Sequence, residues 1–332
     1  MKIIDNCPLK ERHTFGMDVM ADRLIEFANE DELKSALTGA VKPLLFMGGG
    51  SNLLFLNNFS GTVLHSVIDN INIVAEDDNS VSVRVGSGVV WDDFVAYCVE
   101  KGWWGVENLS LIPGEVGASA VQNIGAYGVE VKDVLQSIEA ISVDDLSKRI
   151  FTNAECNYAY RDSIFKKSLK GKYVITYVTY RLSKKANPNI GYGALKSVLA
   201  ENPSLKEIRD KIIAVRNSKL PDPKVYGNAG SFFMNPVIPM EQFVALQSRY
   251  PEIPSYPASD GYIKVPAGWL IEKSGWKGKS LGNAAVYEKQ ALVLINRGGA
   301  TGMEVKHLAD TVIADIKEIF GITLHAEVNY IE

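Results

Sequence analysis

The residues best equipped for chemistry are a glycine-rich stretch and three isolated polar side chains. Residues 105–133 read GVENLSLIPGEVGASAVQNIGAYGVEVKD, with glycine at 105, 114, 117, 125 and 128. Glycine relaxes the backbone and lets it approach a ligand closely, and this density argues against a regular helix or strand. Asn108, Ser119, Gln122, Asn123 and Tyr127 are uncharged groups able to hydrogen-bond a flat heterocycle. The stretch reads either as a backbone cradle for a cofactor or as a long buried loop between packed elements. Farther on, Arg161 stands among aromatic residues in CNYAYRDSIFKK. Arginine there can grip a carboxylate through two parallel bonds, although a solvated side chain is the simpler reading. Ser231 lies in YGNAGSFFMNP, where Phe233 occupies the last glycine position of a Gly-x-Ser-x-Gly elbow. It is a structural serine or, beside a ring and a buried anion, a proton donor. Glu327 interrupts the apolar ITLHAEVNYI. Buried, it needs a partner or a shifted pKa; strand alternation can equally turn it to water, the commoner case.

A second glycine cluster lies in LLFMGGGSNLLFL. Leu44–Met47 and Leu53–Leu56 read as short strands around Gly48, Gly49 and Gly50. Successive glycine N–H groups can converge on a phosphate as a nest, and Ser51 and Asn52 can add side-chain donors; a plain turn reads equally well. Two common nucleotide fingerprints are missing. Leu53 stands where Gly-x-Gly-x-x-Gly requires its third glycine, Gly86-Ser87-Gly88 ends in Trp91, and Lys273 stands where a P-loop ending in Gly278-Lys279-Ser280 requires its first glycine.

The elements that must position these residues follow from hydrophobic periodicity. Residues 21–40 predict a helix through Leu24, Ile25, Phe27, Leu33 and Leu37. Strands are expected in GTVLHSV, INIVAED and SVSVRVG between 61 and 86, in 135–143 with 148–152, and in 172–182. Helices are expected at 91–101, 205–216, 240–250, 267–274 and 303–320, the last with a core stripe of Leu308, Val312, Ile316 and Phe320. A strand is expected at 291–296, and ITLHAEVNYI closes the chain as another.

Composition bounds the function classes. The chain has 332 residues, 46% hydrophobic and 22% charged, with a net charge of −4. That is a globular composition with nothing to favour nucleic acid or an anionic membrane. No apolar run reaches about 18 residues, so a membrane span is not expected, and the first fifteen residues lack a secretory core. Cys7, Cys98 and Cys156 show no metal or redox spacing, which suits a reducing cytoplasm. The four histidines form no paired ligand motif, so no metal site is expected.

Taken together, MGGGSNLLF, LIPGEVGASAVQNIGAYG, YRDSIFK, KLPDPKVYGNAGSFFMNP, AGWLIEKSG and HAEVNYI resemble the UDP-N-acetylenolpyruvoylglucosamine reductase family, in order and over nearly the whole chain. The branch with an extra tyrosine loop is indicated by NPNIGYGAL around Tyr192. The resemblance implies an α+β chain: a two-subdomain FAD-binding fold of the vanillyl-alcohol-oxidase/PCMH type with a C-terminal α+β substrate domain. The implied divisions are 1–67 and 68–210 for the FAD-binding subdomains, 211–322 for the substrate domain, and 323–332 for a terminal strand that can return to the FAD-binding half.

The implied activity is NADPH-dependent reduction of UDP-N-acetylglucosamine enolpyruvate to UDP-N-acetylmuramate through non-covalent FAD, in bacterial peptidoglycan synthesis, by a cytoplasmic monomer. By the same resemblance Arg161, Ser231 and Glu327 are catalytic. Gly48, Gly49, Gly50, Ser51, Asn52, Ile112, Pro113, Gly114, Ala118, Ser119, Asn123 and Gly125 hold FAD. Tyr127, Tyr192, Arg216, Lys219, Asn235 and Gln290 contact substrate. Departures occur at Glu115, Ser119, Ala120, Ala326 and Asn329, where the family usually carries Thr, Ala, Pro, Pro and Arg. The alternative is an FAD-dependent oxidase of the same fold acting on a small alcohol or hydroxy acid. Such enzymes often tether flavin through His or Cys, and residues 105–133 contain neither. A degenerate nucleotide-sugar-binding protein is a second alternative, which retention of all three reacting groups disfavours.

Overall fold

The computed structural model describes residues 1–191, 195 and 199–332, so Tyr192 lies outside the described residues. The chain divides into two compact units. The first comprises Met1–Cys7, Ala21–Gly49 and Ser60–Ser218, and the second comprises Pro8–Met20, Gly50–Phe59 and Lys219–Glu332.

The first unit contains two sheets. One orders the strands Lys2–Pro8, Met20–Phe27, Phe59–Ser66 and Leu44–Phe46, with the last two parallel. The other is antiparallel and orders Lys148–Thr152, Leu135–Ser142, Tyr173–Ser183, Ser80–Gly86 and Ile71–Glu76. Its inner face carries Val81, Val83, Val85, Ile138, Val178 and Tyr180, all fully buried. The helix Trp91–Glu100 lays Trp91, Phe94, Val95 and Cys98 on this face. Trp91 meets Phe94 and Tyr180 edge to face at 5.8 and 5.9 Å, a favoured geometry for paired rings.

Two expectations for this unit need correction. Residues 21–40 are not one helix: Met20–Phe27 is a strand, and the helix is Glu30–Gly39. Asn29 decides the boundary, because its side chain accepts the Glu32 N–H at 2.9 Å and Glu30, Asp31 and Glu32 fill the first turn. The glycine-rich stretch is also more regular than its composition suggests. It contains the helix Val116–Gln122 and a small hairpin of Gly125–Ala126 with Val129–Glu130. Gly117 explains why a helix tolerates glycine here. A Cβ at that position would fall 2.8 Å from the Ser87 Cβ, so the missing side chain lets the helix lie against Ser87.

The second unit is built on an antiparallel sheet ordered Gly227–Ser231, Val293–Asn296, Ala284–Val286 and Ser280–Leu281. The helix Gly302–Phe320 buries the expected stripe of Leu308, Val312, Ile316 and Phe320. A capping box of Thr301 and Glu304 starts it, and Gly321 stops it at φ 68°. The terminal strand is shorter than expected. Only Asn329–Ile331 is regular, paired parallel with Leu53–Phe55, and Ala326 makes a single bridge to Phe233. No helix among the described residues is long and apolar enough to cross a membrane.

Candidate active site

In the first unit the two glycine clusters come together. A Cβ on Gly49 would lie 3.4 Å from the Gly114 Cα, and one on Gly48 would lie 3.6 Å from the Ala118 Cβ and 3.0 Å from Glu115 Oε2. The strand end at Leu44–Phe46 and the turn before Val116–Gln122 therefore approach backbone to backbone. The resulting surface suits a dinucleotide flavin, which needs close main-chain approach and few bulky side chains. Glu115 is the feature that does not suit an anion. Its carboxylate is buried beside Gly48 and lies 2.9 Å from His65 Nε2, which is its partner.

The turn before the cradle helix is held by the first turn of Trp91–Glu100. Trp91 N–H donates to Gly114 O at 3.0 Å and Trp91 Nε1 to Leu109 O at 2.9 Å. Ile112 packs against the core, half-buried, while Pro113 is exposed. Ser119 needs qualification as a flavin contact: its hydroxyl turns inward, donating to Val116 O at 2.7 Å and lying 3.2 Å from the Tyr180 hydroxyl. Its side chain serves the core, while its backbone N–H donates to Glu115 O and its carbonyl accepts the Ile124 N–H. Asn123 ends the helix in the left-handed region, φ 45°. It is fully buried and braces three segments: its amide donates to Ala159 O at 2.9 Å and Glu130 Oε2 at 3.3 Å, and its carbonyl accepts the Lys132 N–H at 3.1 Å.

That brace fixes Arg161. The residue has φ 55° between Ala159 and Asp162, which bridge each other. Its guanidinium donates to Gly125 O at 2.6 Å, so the solvated reading of Arg161 is corrected: the side chain is half-buried and tied to the cradle. A Cβ on Gly125 would lie 3.0 Å from Val129 O and Glu130 Cγ and 3.1 Å from Arg161 Nη1, tighter than an ordinary contact. Arg216, on the helix Leu205–Lys219, donates from Nε to Leu111 O at 3.2 Å. Burial pushes its guanidinium below the ordinary value, Tyr127 and Asp92 oppose that shift, and like-charge repulsion from Arg161 adds to it. Arg161, Arg216 and Tyr127 thus form one electrostatic neighbourhood. The two guanidinium groups repel each other there, while the Asp92 carboxylate attracts Arg216.

In the second unit Gly50, Ser51 and Asn52 continue the glycine turn. Gly50 has φ 61°, and a Cβ there would strike Arg12 O at 2.5 Å. Asn52 Nδ2 donates to Glu327 O at 3.2 Å, and Asn329 N–H to Asn52 O at 3.1 Å. Glu327 N–H in turn donates to Phe232 O at 2.8 Å. Glu327, half-buried, is therefore fastened between the Gly50–Asn52 turn and the residue after Ser231, and Ser231 itself is exposed at the end of its strand. Asn235 Oδ1 accepts the Ala267 N–H at 2.9 Å, and Gln290 Oε1 would lie 3.5 Å from a Cβ on Gly268. Both thus flank the start of the helix Ala267–Lys273. Lys219 is exposed at its helix end. Among the described residues no cluster of His, Cys, Asp and Glu could hold a metal ion.

The family described as FAD binding domain matches residues 21–145, and the family described as UDP-N-acetylenolpyruvoylglucosamine reductase, C-terminal domain, matches residues 222–331. A UDP-N-acetylenolpyruvoylglucosamine reductase of Bacteroides fragilis is 53% identical over 327 residues, 97% of this chain and 98% of the relative. The chain belongs to the UDP-N-acetylenolpyruvoylglucosamine reductase family. A further member, from Porphyromonas gingivalis, is 51% identical over 341 residues and covers both chains fully. The crystal structure of UDP-N-acetylenolpyruvylglucosamine reductase from Thermus caldophilus has the same fold, with a TM-score of 0.71 at 22% identity, covering 100% of this chain and 98% of that one. The α+β, FAD-binding architecture read from the sequence is therefore the family's own.

Within this reductase several supporting groups escaped sequence reasoning. Asp92, Arg209 and the His65–Glu115 pair are ordinary charges on ordinary elements, and only tertiary proximity marks them. Glu107 is buried at the cradle entrance, where its carboxylate accepts the Gly105 N–H at 2.6 Å and burial raises its pKa. Its position as one of two charges, with Glu115, in the glycine-rich run 105–129 was the one available signal.

Proposed function

We propose that the chain reduces UDP-N-acetylglucosamine enolpyruvate to UDP-N-acetylmuramate, with NADPH as reductant and FAD as carrier, in peptidoglycan precursor synthesis. The observation that carries this reading is the pair Arg161 and Arg216 beside Tyr127, both cations tied to cradle carbonyls, at Gly125 and at Leu111. Guanidinium groups in this position are suited to gripping the carboxylate of such a substrate.

FAD held by the cradle would supply the hydride that reduces C3 of the enolpyruvyl group, with NADPH as the source of that hydride. Arg161 grips and polarises the substrate carboxylate, where negative charge collects as C3 gains its hydrogen. Glu327, in its acid form, donates a hydrogen bond to the enolate-like oxygen. Ser231 gives its hydroxyl proton to C2, completing the addition of two hydrogens, and regains a proton from solvent. Serine is a weak acid, but the C2 carbanion is a strong base, so the transfer runs downhill. Arg216 and Tyr127 orient the carboxylate end, Lys219 and Tyr192 serve the diphosphate, and Asn235 and Gln290 the sugar nucleotide. Gly48 through Asn52 hold the FAD diphosphate, and Ile112, Pro113, Gly114, Ala118, Asn123 and Gly125 line the flavin. The same reading makes the protein a monomer of the reducing cytoplasm, where its three free buried cysteines are stable.

The test is product analysis in deuterated water with protonated NADPH. The reading predicts UDP-N-acetylmuramate carrying deuterium at C2, the C3 position not being diagnostic because a hydrogen held on a flavin nitrogen exchanges with solvent. Absence of that product from FAD-saturated protein would refute it.

A further inference from the structure

Leu111 is a strained residue of the first unit. A bulky side chain in the left-handed region, φ 59°, persists only where the surroundings hold it. Both of its backbone groups are held by charged side chains. Its N–H donates to Asp92 Oδ1 at 2.5 Å, and its carbonyl accepts from Arg216 Nε at 3.2 Å. Asp92 is in turn gripped end-on by Arg209, Nη1 to Oδ1 at 2.6 Å and Nη2 to Oδ2 at 2.8 Å. This pair is mostly sheltered, with side chains 14% and 23% exposed for Arg209 and Asp92.

The placement along the chain gives the cluster its meaning. Arg209 and Arg216 are seven residues apart on Leu205–Lys219, two turns along one face. Asp92 is in the first turn of Trp91–Glu100, where a carboxylate is favoured. That same turn holds Gly114 O through the Trp91 N–H. The segment from Leu111 to Gly114 is thus pinned at both ends to one helix start, and Arg209 pins the Arg216 helix to the same point.

We propose that Asp92 and Arg209 are positioning residues. Their bidentate pair fixes the Leu111 turn and the register of the Leu205–Lys219 helix, and thereby sets where the Arg216 guanidinium stands. Neither touches substrate. The inference rests on the reading of Arg216 as a substrate contact, and the experiment separates the two.

Arg216→Met provides the reference. In FAD-loaded enzyme it should raise KM for UDP-N-acetylglucosamine enolpyruvate and weaken calorimetric binding of that compound to the oxidised protein. Arg209→Met should do the same by about tenfold, with kcat changed far less and FAD content retained. Asp92→Asn, which preserves shape, should reproduce Arg209→Met and serves in its place if that variant fails to fold. Because Arg209 acts through Arg216, the double variant Arg209→Met/Arg216→Met should be no worse than Arg216→Met alone. A normal KM and Kd in Arg209→Met, with both raised in Arg216→Met, would overturn the positioning role. So would additive effects in the double variant. A normal KM in Arg216→Met would instead overturn the reading of Arg216, and the inference with it.

Discussion

Single residues carry the proposed chemistry, and their burial separates reacting groups from supporting ones. Ser231 is exposed at a strand end, as a proton donor to a bound ligand must be, whereas Ser119 has its hydroxyl in the core. Ser231→Ala should keep flavin reduction by NADPH and slow the second half-reaction by about 10²–10⁴-fold in stopped-flow measurements. Equal loss in both halves would remove Ser231 from the proton-transfer step. Glu327→Gln should retain FAD, because Glu327 is fastened through its backbone, and should lose turnover by about 10²-fold or more. Near-normal turnover would make it a structural residue. Glu107 offers a check on electrostatics alone. Burial raises its carboxyl above the ordinary value of 4.5, so its contribution to stability is intact below that value and is lost as pH rises through the folded pKa. Glu107→Gln can keep the bond to the Gly105 N–H without burying a charge. Its melting temperature relative to wild type should therefore rise as pH is raised above the ordinary carboxyl range; a pH-independent difference would contradict the burial argument.

At the scale of elements, much of the fold was legible and the failures have identifiable causes. Amphipathic helices such as Gly302–Phe320 and alternating strands such as Ser80–Gly86 announce themselves, because one face of each packs on a single core. Residues 21–40 misled because Leu24, Ile25 and Phe27 satisfy a helical stripe, while Asn29 and the three acids after it mark the true start. The cradle helix was hidden by its own glycine. Gly117 weakens helix propensity yet is required by its approach to Ser87. Gly117→Ala should force that helix away from Ser87, cost about 1–3 kcal/mol of stability, and lower the FAD retained on purification. Full retention with an unchanged melting temperature would show that the helix can shift freely. Family motifs supplied the candidate site residues; their wiring was not readable. No sequence pattern links Asn123 to Arg161 or Asp92 to Arg209, since those links exist only after the chain has folded.

Over the whole molecule, two family matches divide the labour: residues 21–145 match an FAD binding domain and 222–331 a reductase C-terminal domain. The glycine turn is shared between the two compact units, with Gly49 closing a segment of the first and Gly50 opening one of the second. Arg161 belongs to the first unit, and Ser231 and Glu327 belong to the second. Such a chain should bind flavin and act on it in two separable half-reactions. The most direct measurement is an anaerobic visible spectrum of the purified, FAD-loaded protein. NADPH is added until the flavin band bleaches, the excess is removed, and UDP-N-acetylglucosamine enolpyruvate is added. The proposed chemistry predicts that the oxidised band returns with that compound alone. A band that bleaches with NADPH and stays bleached after the enolpyruvyl sugar is added would contradict it.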